Sequence, residues 1–255
     1  MTSIDYRRFK KRVDNIYSFI DNIPCLENGT VSPPARKILA IGDIHGDFEA
    51  LIYLLYSARI IDKNGKWIGR DTTIVQTGDI FDDCRPYPQN PSGSGCYNDY
   101  QVEGYDEIVI LEYLADLNEQ AVRTGGRVII CLGNHEYINI TKPELYKDYI
   151  QPATRNYYGE RRAQLLKPGG RLAKKLACIV NVVAFVGDWV FLHGGLRPSA
   201  FEDINDIKIA NIMMKALLKG ELTPSDALEY IKEADDPHWF FWDRVYSQNM
   251  IENDG

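Results

Sequence analysis

Residues 36–46 have the sequence RKILAIGDIHG, in which an apolar run leads into a glycine-flanked turn. The apolar run ends at Gly42, and residues 48–58 follow with Leu51, Leu54 and Leu55 at helical spacing. We interpret this unit as a strand, a tight turn and a helix. The alternation continues with predicted strands at 72–77 and 127–132 and a predicted helix at 106–122. It predicts right-handed crossovers and an α/β fold in which helices cover a parallel sheet.

Further patterns outside this alternation complete the predicted secondary structure. Residues 4–20 have roughly helical spacing, and a linker with Pro33 and Pro34 then precedes the first strand. Two apolar runs, 179–186 and 189–192, flank Gly187-Asp188, a strong hairpin signal. Helices are predicted at 204–219 and 223–234. We therefore divide the chain into an N-terminal helix and linker, 1–35, and a main domain, 36–255.

Composition and charge disfavour several classes of protein. The chain has 255 residues, 45% of them hydrophobic, and can bury the core of one large domain. Its formal net charge of −7 disfavours nonspecific attraction to nucleic acid or to an anionic membrane. No apolar segment of signal-peptide length follows the basic N-terminus, and no stretch is long enough to span a bilayer. We expect a soluble, cytoplasmic protein.

The five cysteines are odd in number and show no regular spacing. Reduced thiols are therefore expected, with a disulfide between Cys84 and Cys96 as the alternative. These two cysteines share an insertion, residues 84–104, that is rich in Pro, Gly, Ser, Asn and Tyr. A loop of that length is usually functional or disordered.

Four short segments lie where predicted strands end, and they contain three of the chain's four histidines. Ligands of open α/β sheets bind beyond the carboxyl ends of the strands, so these separate segments are expected to converge. Any one of these segments alone is weak evidence for a functional site, because a Gly-Asp turn after a strand usually has no function beyond turning the chain. Together they predict a functional site. The segments are GDIHG (42–46), GDIFD (78–82), GNHE (133–136) and HGG (193–195).

The side chains of these segments predict a site for two metal ions. Asp43 and His45 are two positions apart on an extended turn and can hold one ion. Asp79 has two carboxylate oxygens and can bridge two cations. Asn134 offers an amide oxygen, and His193 an imidazole, to the second ion. Oxygen and nitrogen donors without cysteine suit Mn²⁺, Fe or Zn²⁺.

Such a site predicts hydrolysis of phosphoesters. Two ions about 3.5–4 Å apart can ionise a shared water at neutral pH and clamp both sides of an in-line displacement at phosphorus. His135 is the natural proton donor to the leaving oxygen, and Asp82 can orient its imidazole. Glu136 is interpreted as a hydrogen-bond partner of a ligand or of the turn. For Arg85 we give equal weight to two interpretations, a residue that binds the phosphate and a solvated charge in the loop. His238, within an aromatic run, is expected in the core.

The four segments resemble those of the calcineurin-like metallophosphoesterases. LGNHE (132–136) with HGGLRP (193–198) is similar to the phosphoprotein phosphatase branch, and residues 121–136 and 242–247 are similar to the bacterial-type, Shewanella-like phosphatases. The resemblance covers about residues 36–247 and implies a layered α-β-β-α sandwich. It also implies metal ligands, a proton-transfer pair and phosphate-binding arginines. These are Asp43, His45, Asp79, Asn134 and His193 for the metals, His135 with Asp82 for the proton, and Arg85, Arg197 and Arg244 for phosphate.

The chain departs from this family pattern twice. The family continues Asp-Arg-Gly after the second motif, whereas Asp83 and Cys84 follow here, so one expected phosphate-binding arginine is absent. The family also supplies a last histidine ligand from a Gly-His segment that does not occur before Gly255. If the chain is a fragment, C-terminal strands of the second sheet are also missing. If it is complete, the second ion has fewer protein ligands, or water, or His238.

The resemblance implies a dinuclear-metal-dependent phosphatase that acts on phosphorylated Ser, Thr or Tyr in proteins. Its partner is then a phosphorylated protein or a small phosphoester, and neither nucleic acid nor a membrane is expected. One alternative is a hydrolase of nucleotides such as dinucleoside polyphosphates. The other is a pseudophosphatase that binds phosphorylated partners without turnover, which the missing histidine and Asp83 favour.

Overall fold

The computed structural model describes residues 6–26, 29–84, 96, 102–145, 147–196, 204–231 and 239–243. Among the residues singled out above, Arg85, Arg197, Arg244 and His238 lie outside this part of the chain. No helix in the described ranges is long and apolar enough to cross a bilayer. The strands are β1 (Val31–Ser32), β2 (Ile38–Ile41), β3 (Thr73–Gln76), β4 (Arg127–Cys131), β5 (Val180–Asn181), β6 (Ala184–Val186) and β7 (Trp189–Phe191). The α-helices are α1 (Ile16–Asn22), α2 (Phe48–Ser57), α3 (Asp106–Val122), α4 (Asn134–Thr141), α5 (Pro152–Tyr158), α6 (Arg161–Leu166), α7 (Arg171–Leu176), α8 (Ile204–Lys219), α9 (Pro224–Ile231) and α10 (Trp239–Trp242).

A four-stranded parallel sheet of order β2-β3-β4-β5 is the centre of the fold. Ile38 pairs with Thr73, and Thr73 pairs with Arg127, so the first three strands start in register. Because all four strands run in the same direction, their carboxyl ends meet at one edge of the sheet. The predicted mixed α/β fold with a parallel sheet and helices is confirmed.

Side chains of β3 and β4 point alternately into two separate clusters. Ile74 and Val128 belong to the main hydrophobic core, which includes residues of α2 and α3. Val75 and Ile129 belong to a smaller cluster that includes Val186 of β6. Successive side chains of a strand point to opposite faces of its sheet. Helices therefore cover one face of the parallel sheet, and a second sheet of order β1-β6-β7 covers the other.

The apolar run at residues 179–186 contains two strands, β5 and β6, rather than one arm of the hairpin alone. The chain leaves the parallel sheet after β5 and enters the second sheet at β6. The side-chain oxygen of Asn211 on α8 accepts hydrogen bonds from the amides of Val182 (2.6 Å) and Val183 (3.2 Å) between the two strands. These bonds satisfy the backbone where it changes sheets. The predicted hairpin is present, since β6 and β7 pair antiparallel across Gly187.

The prediction of one helix over residues 4–20 is wrong. A 3₁₀ helix spans Tyr6–Phe9, and α1 begins only at Ile16. The side chain of Asn15 accepts from the amides of Tyr17 (2.9 Å) and Ser18 (3.3 Å), which is the arrangement of a helix N-cap. This cap starts a new helix in the middle of the periodic stretch.

The N-terminal segment packs on the rest of the chain. Ile16 and Ile20 of α1 are buried in the same core cluster as Leu51 and Leu55 of α2. Strand β1 pairs parallel with β6 and forms part of the second sheet. Residues ahead of β2 therefore contribute to both layers that flank the parallel sheet.

The expectation that the cysteines are reduced is wrong for four of the five. Cys25 is bonded to Cys178, and Cys84 is bonded to Cys96, the pairing given above as the alternative. Cys131 is the free cysteine, and it is buried. The first pair is separated by 153 residues in sequence and forms where α1 packs on α7. Local spacing cannot reveal such a contact.

Candidate metal centre

The four predicted segments converge at the carboxyl edge of the parallel sheet. Segments 42–46, 78–82 and 133–136 follow β2, β3 and β4 directly. His193 instead follows β7 of the second sheet, and its ring bonds to the carbonyl oxygen of Thr77 across the two sheets (Nδ1 to O, 3.0 Å). The amides of Ile44 and His45 both donate to the carbonyl oxygen of Asp79, at 2.9 and 3.0 Å. These bonds fix the segments to one another.

The carboxylate of Asp79 lies at the centre of the cluster and is buried. Its Oδ1 accepts a hydrogen bond from the amide of His135 (3.0 Å). Its Oδ2 faces three imidazoles, with the Nε2 atoms of His193, His45 and His135 at 3.3, 3.8 and 3.9 Å. One oxygen is therefore held by the backbone, and a single oxygen is directed at all three rings.

Two of these rings are bonded to the backbone through Nδ1, so that Nε2 is the atom that faces Asp79, and His193 Nε2 also lies 2.8 Å from Asn134 Oδ1. His45 Nδ1 donates to the carbonyl oxygen of Phe81 (2.8 Å), as His193 Nδ1 does to that of Thr77. A carbonyl oxygen only accepts, so Nδ1 carries a hydrogen. Burial disfavours charge on both His193 and Asp79, but their ion pair raises the pKa of His193 and lowers the pKa of Asp79.

The spacing of the donor atoms fits divalent cations. Two donors about 2.1 Å from one ion at a tetrahedral angle lie about 3.4 Å apart, close to the distances around Asp79 Oδ2. The ligand atoms of Asp43, Asp79 and His193 form one group within 4.8 Å of one another, and those of His45, Asp79 and His135 form another. Asp43 is exposed and lies 3.7 Å from His45 Nε2. These two groups, which share Asp79, could each hold a metal ion.

His135 differs from the other two imidazoles in its second contact. Its Nδ1 lies 2.8 Å from Asp82 Oδ2, so a carboxylate rather than a backbone carbonyl orients the ring. Both side chains are buried. The 3.9 Å distance from its Nε2 to Asp79 Oδ2 permits two roles, metal ligand and proton donor.

Three polar residues that the sequence reasoning missed surround Asp82. Arg162 donates to Asp82 Oδ1 (3.0 Å), and Asn139 donates to Asp82 Oδ2 (2.6 Å). Arg162 also donates to Glu107 Oε1 (2.7 Å), which accepts from the amide of Asp82 (2.8 Å). Burial raises the pKa of Glu107 to about 7, against the opposing effect of Arg162. Asn139 had one signal in the sequence, because it lies one helical turn after His135.

Glu136 fixes the turn that presents Asp79. Its Oε2 accepts from the amides of Gly133 (2.8 Å) and Asp79 (2.9 Å), and its Oε1 accepts from those of Ile80 and Phe81 (both 2.8 Å). Burial, followed by repulsion from Asp79, raises the pKa of Glu136, and the amide bonds oppose this. The interpretation of Glu136 as a partner of the turn agrees with these contacts.

Glu136→Ala is expected to lower the free energy of unfolding by about 3 kcal/mol or more, because several buried amides lose their acceptor. Urea unfolding measures the change. Glu144→Gln is the matched control, since Glu144 is exposed, and it should be neutral. A fully stable Glu136→Ala protein would contradict the role given to these four hydrogen bonds.

The backbone of the cluster is strained at the positions that present its side chains. His45, Asp79 and Asp82 have positive φ angles of 48°, 57° and 66°, a region that non-glycine residues rarely adopt. Gly133 permits the close approach of Asp79, because a Cβ atom at position 133 would lie 2.2 Å from Asp79 Oδ1. Strain and close contact at these positions are typical of functional sites.

Asp83 occupies the position where the resemblance led us to expect a phosphate-binding arginine. It is buried, and it accepts hydrogen bonds from the Gln151 amide (2.7 Å) and from the Thr154 hydroxyl. Burial raises the pKa of Asp83, and these two bonds oppose the shift. The side chain therefore anchors the start of α5, which is a structural role.

The fold and this cluster define an α/β protein in which residues at the edge of the parallel sheet could hold metal ions. The pattern of the family described as calcineurin-like phosphoesterase matches residues 36–242. The chain therefore belongs to the calcineurin-like phosphoesterase family.

Named relatives and a solved structure are similar to much of the chain. Shewanella-like protein phosphatase 1 of Plasmodium berghei (strain Anka) is 32% identical in an alignment of 207 residues, and the match covers 78% of this chain and 48% of the relative. Shewanella-like protein phosphatase 2 of Arabidopsis thaliana is 28% identical in an alignment of 208 residues, and the match covers 66% of this chain and 48% of that protein. The chain thus spans about half the length of these relatives.

The crystal structure of the cold-active protein-tyrosine phosphatase of a psychrophilic Shewanella species has the same fold. The TM-score is 0.60 at 23% identity, and the match covers 86% of this chain and 60% of that one. At this identity the likeness supports the fold alone.

Proposed function

We propose that the chain is a dinuclear-metal-dependent protein phosphatase that hydrolyses phosphoserine, phosphothreonine or phosphotyrosine. The observation that carries the proposal is the convergence of three imidazole Nε2 atoms on Asp79 Oδ2, at 3.3 to 3.9 Å. The family gives the reaction class. The choice of phosphorylated proteins as substrates is supported by the names of the relatives.

In this proposal Asp43, His45 and Asp79 hold one cation, and Asp79, Asn134 and His193 hold the other. Two such cations supply Lewis acidity at the phosphoryl group and lower the pKa of a water molecule. The donor set suits Mn²⁺, Fe or Zn²⁺.

We propose that the chain's own residues donate the proton and bind the phosphate. His135 directs its Nε2 toward the same space and gives the leaving oxygen its proton, while Asp82 holds the ring through Nδ1. Arg85, Arg197 and Arg244 stay proposals for binding the phosphate. We also propose that residues 36–255 form the metallophosphoesterase domain and that residues 1–35 are an N-terminal segment ahead of it.

The cytoplasmic location predicted from the sequence also stays a prediction. The two disulfides favour an oxidising environment instead, because cytosolic thiols are usually kept reduced. Labelling of free thiols in the denatured protein distinguishes a chain with two disulfides from a reduced chain. One reactive thiol is expected if both disulfides form, and five are expected if the chain is reduced.

A substrate panel tests the proposed activity. Purified chain reconstituted with Mn²⁺ is given phosphoserine, phosphothreonine and phosphotyrosine peptides and a dinucleoside tetraphosphate, and released phosphate and nucleotide are measured. Phosphopeptide hydrolysis that stops on chelation is expected. Preferential cleavage of the dinucleotide would establish the nucleotide hydrolase instead. Phosphopeptide binding without release of phosphate would establish a pseudophosphatase.

A further inference from the structure

We propose that Arg162, acting with Asn139, is a positioning residue that holds the Asp82 carboxylate in the orientation that fixes the His135 imidazole. This inference rests on the proposed function, in which His135 donates the proton to the leaving oxygen. Arg162 touches neither His135 nor Asp79 in the contacts described above, so its effect passes through Asp82. Arg162 lies on α6, far in sequence from the four segments of the metal centre.

The hydrogen bonds around Asp82 leave its carboxylate little freedom to rotate. Oδ2 accepts from His135 Nδ1 (2.8 Å) and from Asn139 Nδ2 (2.6 Å). Oδ1 accepts from Arg162 Nη2 (3.0 Å). Since the donors to the two oxygens come from different helices, α4 and α6, loss of the Arg162 contact releases one side of the carboxylate.

Arg162 also determines which way the Asn139 amide points. A guanidinium has donors only, so the Asn139 atom 2.6 Å from Arg162 Nη1 must be the oxygen. The Asn139 NH₂ group is then directed at Asp82 and at the carbonyl oxygen of His135 (2.8 Å). Replacement of Arg162 by a residue without several donors in one plane would remove the restraint on Asn139 as well as the direct bond to Asp82.

The burial of the network explains why a guanidinium occupies this position. Arg162, Asp82 and Glu107 are all buried, and Arg162 bonds to both carboxylates. Buried like charges are tolerated only with a partner between them. Lysine could supply the positive charge, but as a point charge it could not satisfy Asp82, Glu107 and Asn139 in the same planar arrangement.

Arg162→Lys is the variant that tests the role, because it retains the buried charge and removes the planar set of donors. The kcat for a phosphoserine peptide is expected to fall about tenfold, since an alkyl oxygen leaves only with a proton. With p-nitrophenyl phosphate, which needs little protonation, kcat should change less than about threefold. Arg155→Lys is the matched control. Arg155 and Arg162 both line one surface cavity of about 410 Å³, but Arg155 pairs with Asp148. This control should leave both rates unchanged.

A double-mutant cycle shows whether Arg162 acts through Asp82. Asp82→Asn and Arg162→Lys should each lower kcat for the phosphopeptide, and the double variant should lose little more than Asp82→Asn alone. Additive losses would overturn the proposal. A loss that is equal for both substrates and that follows a lowered melting temperature would also overturn it, since it would indicate a merely structural role.

A measurement that does not depend on turnover can test the role of Arg162 independently of the proposed phosphatase activity. The chain has four histidines, so side-chain ¹H–¹⁵N NMR spectra can resolve the hydrogen on His135 Nδ1, assigned with His135→Gln. In Arg162→Lys this signal is expected to broaden or vanish through exchange, while the signals of His45 and His193 persist. An unchanged His135 signal would overturn the inference even if the wild type is an active phosphatase. A wild type without phosphatase activity but with the expected loss of signal would overturn the proposed function alone.

Discussion

Asp79→Asn is expected to abolish metal binding and phosphate release together. The asparagine oxygen can keep the hydrogen bond from the His135 amide, which turns its NH₂ group toward the three imidazole Nε2 atoms. A neutral group with hydrogens then occupies the place of the charged oxygen that both cations share. Turnover should fall roughly a thousandfold or more, because the contribution of the metals amounts to several kcal/mol.

Metal content by mass spectrometry and hydrolysis of p-nitrophenyl phosphate measure the two losses. Asp71→Asn is the control, since Asp71 is exposed and pairs with Arg36 (3.6 Å, Nε to Oδ2) ahead of β3 and β2, at the amino ends of these strands. A folded Asp79→Asn protein that retained two ions would exclude Asp79 as the shared ligand.

His135→Gln is expected to keep both metals and to lose proton transfer. The rate with phosphoserine peptides should fall about a hundredfold or more, while activated aryl phosphates should lose much less. The reason is that a poor leaving group departs only when its oxygen is protonated. Steady-state kinetics with the two substrate types measure the difference.

The same variant separates the two roles that the geometry of His135 permits. His45→Gln provides the comparison, because His45 Nε2 lies at nearly the same distance from Asp79 Oδ2, 3.8 Å against 3.9 Å. Metal content should fall in His45→Gln and stay constant in His135→Gln. If His135→Gln also lost metal, His135 would be a ligand, and another group would have to donate the proton.

The elements that position the site could be predicted because their signals are local. The periodicity of residues 106–122 and 204–219 matched α3 and α8 to the residue, and the apolar runs before Gly42, Gly78 and Gly133 matched β2, β3 and β4 closely. Carboxyl ends of strands in a parallel sheet meet at one edge, so the sequence order predicted that the segments after β2, β3 and β4 come together, whereas His193 reaches them from the second sheet. The distances of the candidate metal centre depend on these same elements.

The parts that were missed depend on contacts between distant positions. Nothing near Arg162 in sequence indicates that it faces Asp82, because α6 reaches that carboxylate only through the packing of the helices. The bond between Cys25 and Cys178 likewise needs α1 to pack on α7. The change of sheets after β5 depends on Asn211, about thirty residues away. A continuous apolar run carries no sign of such a partner.

Reconstitution of the metal-free chain shows whether phosphate release requires two bound metal ions. A phosphoserine peptide is the substrate, and Mn²⁺ is added stepwise while bound metal and free phosphate are measured on the same sample. We expect no release from the metal-free chain, release that rises as the second ion binds, and complete loss on chelation. Release that does not depend on bound metal, or two bound ions without hydrolysis of any phosphoester, would contradict the assignment of a two-metal phosphatase centre around Asp79.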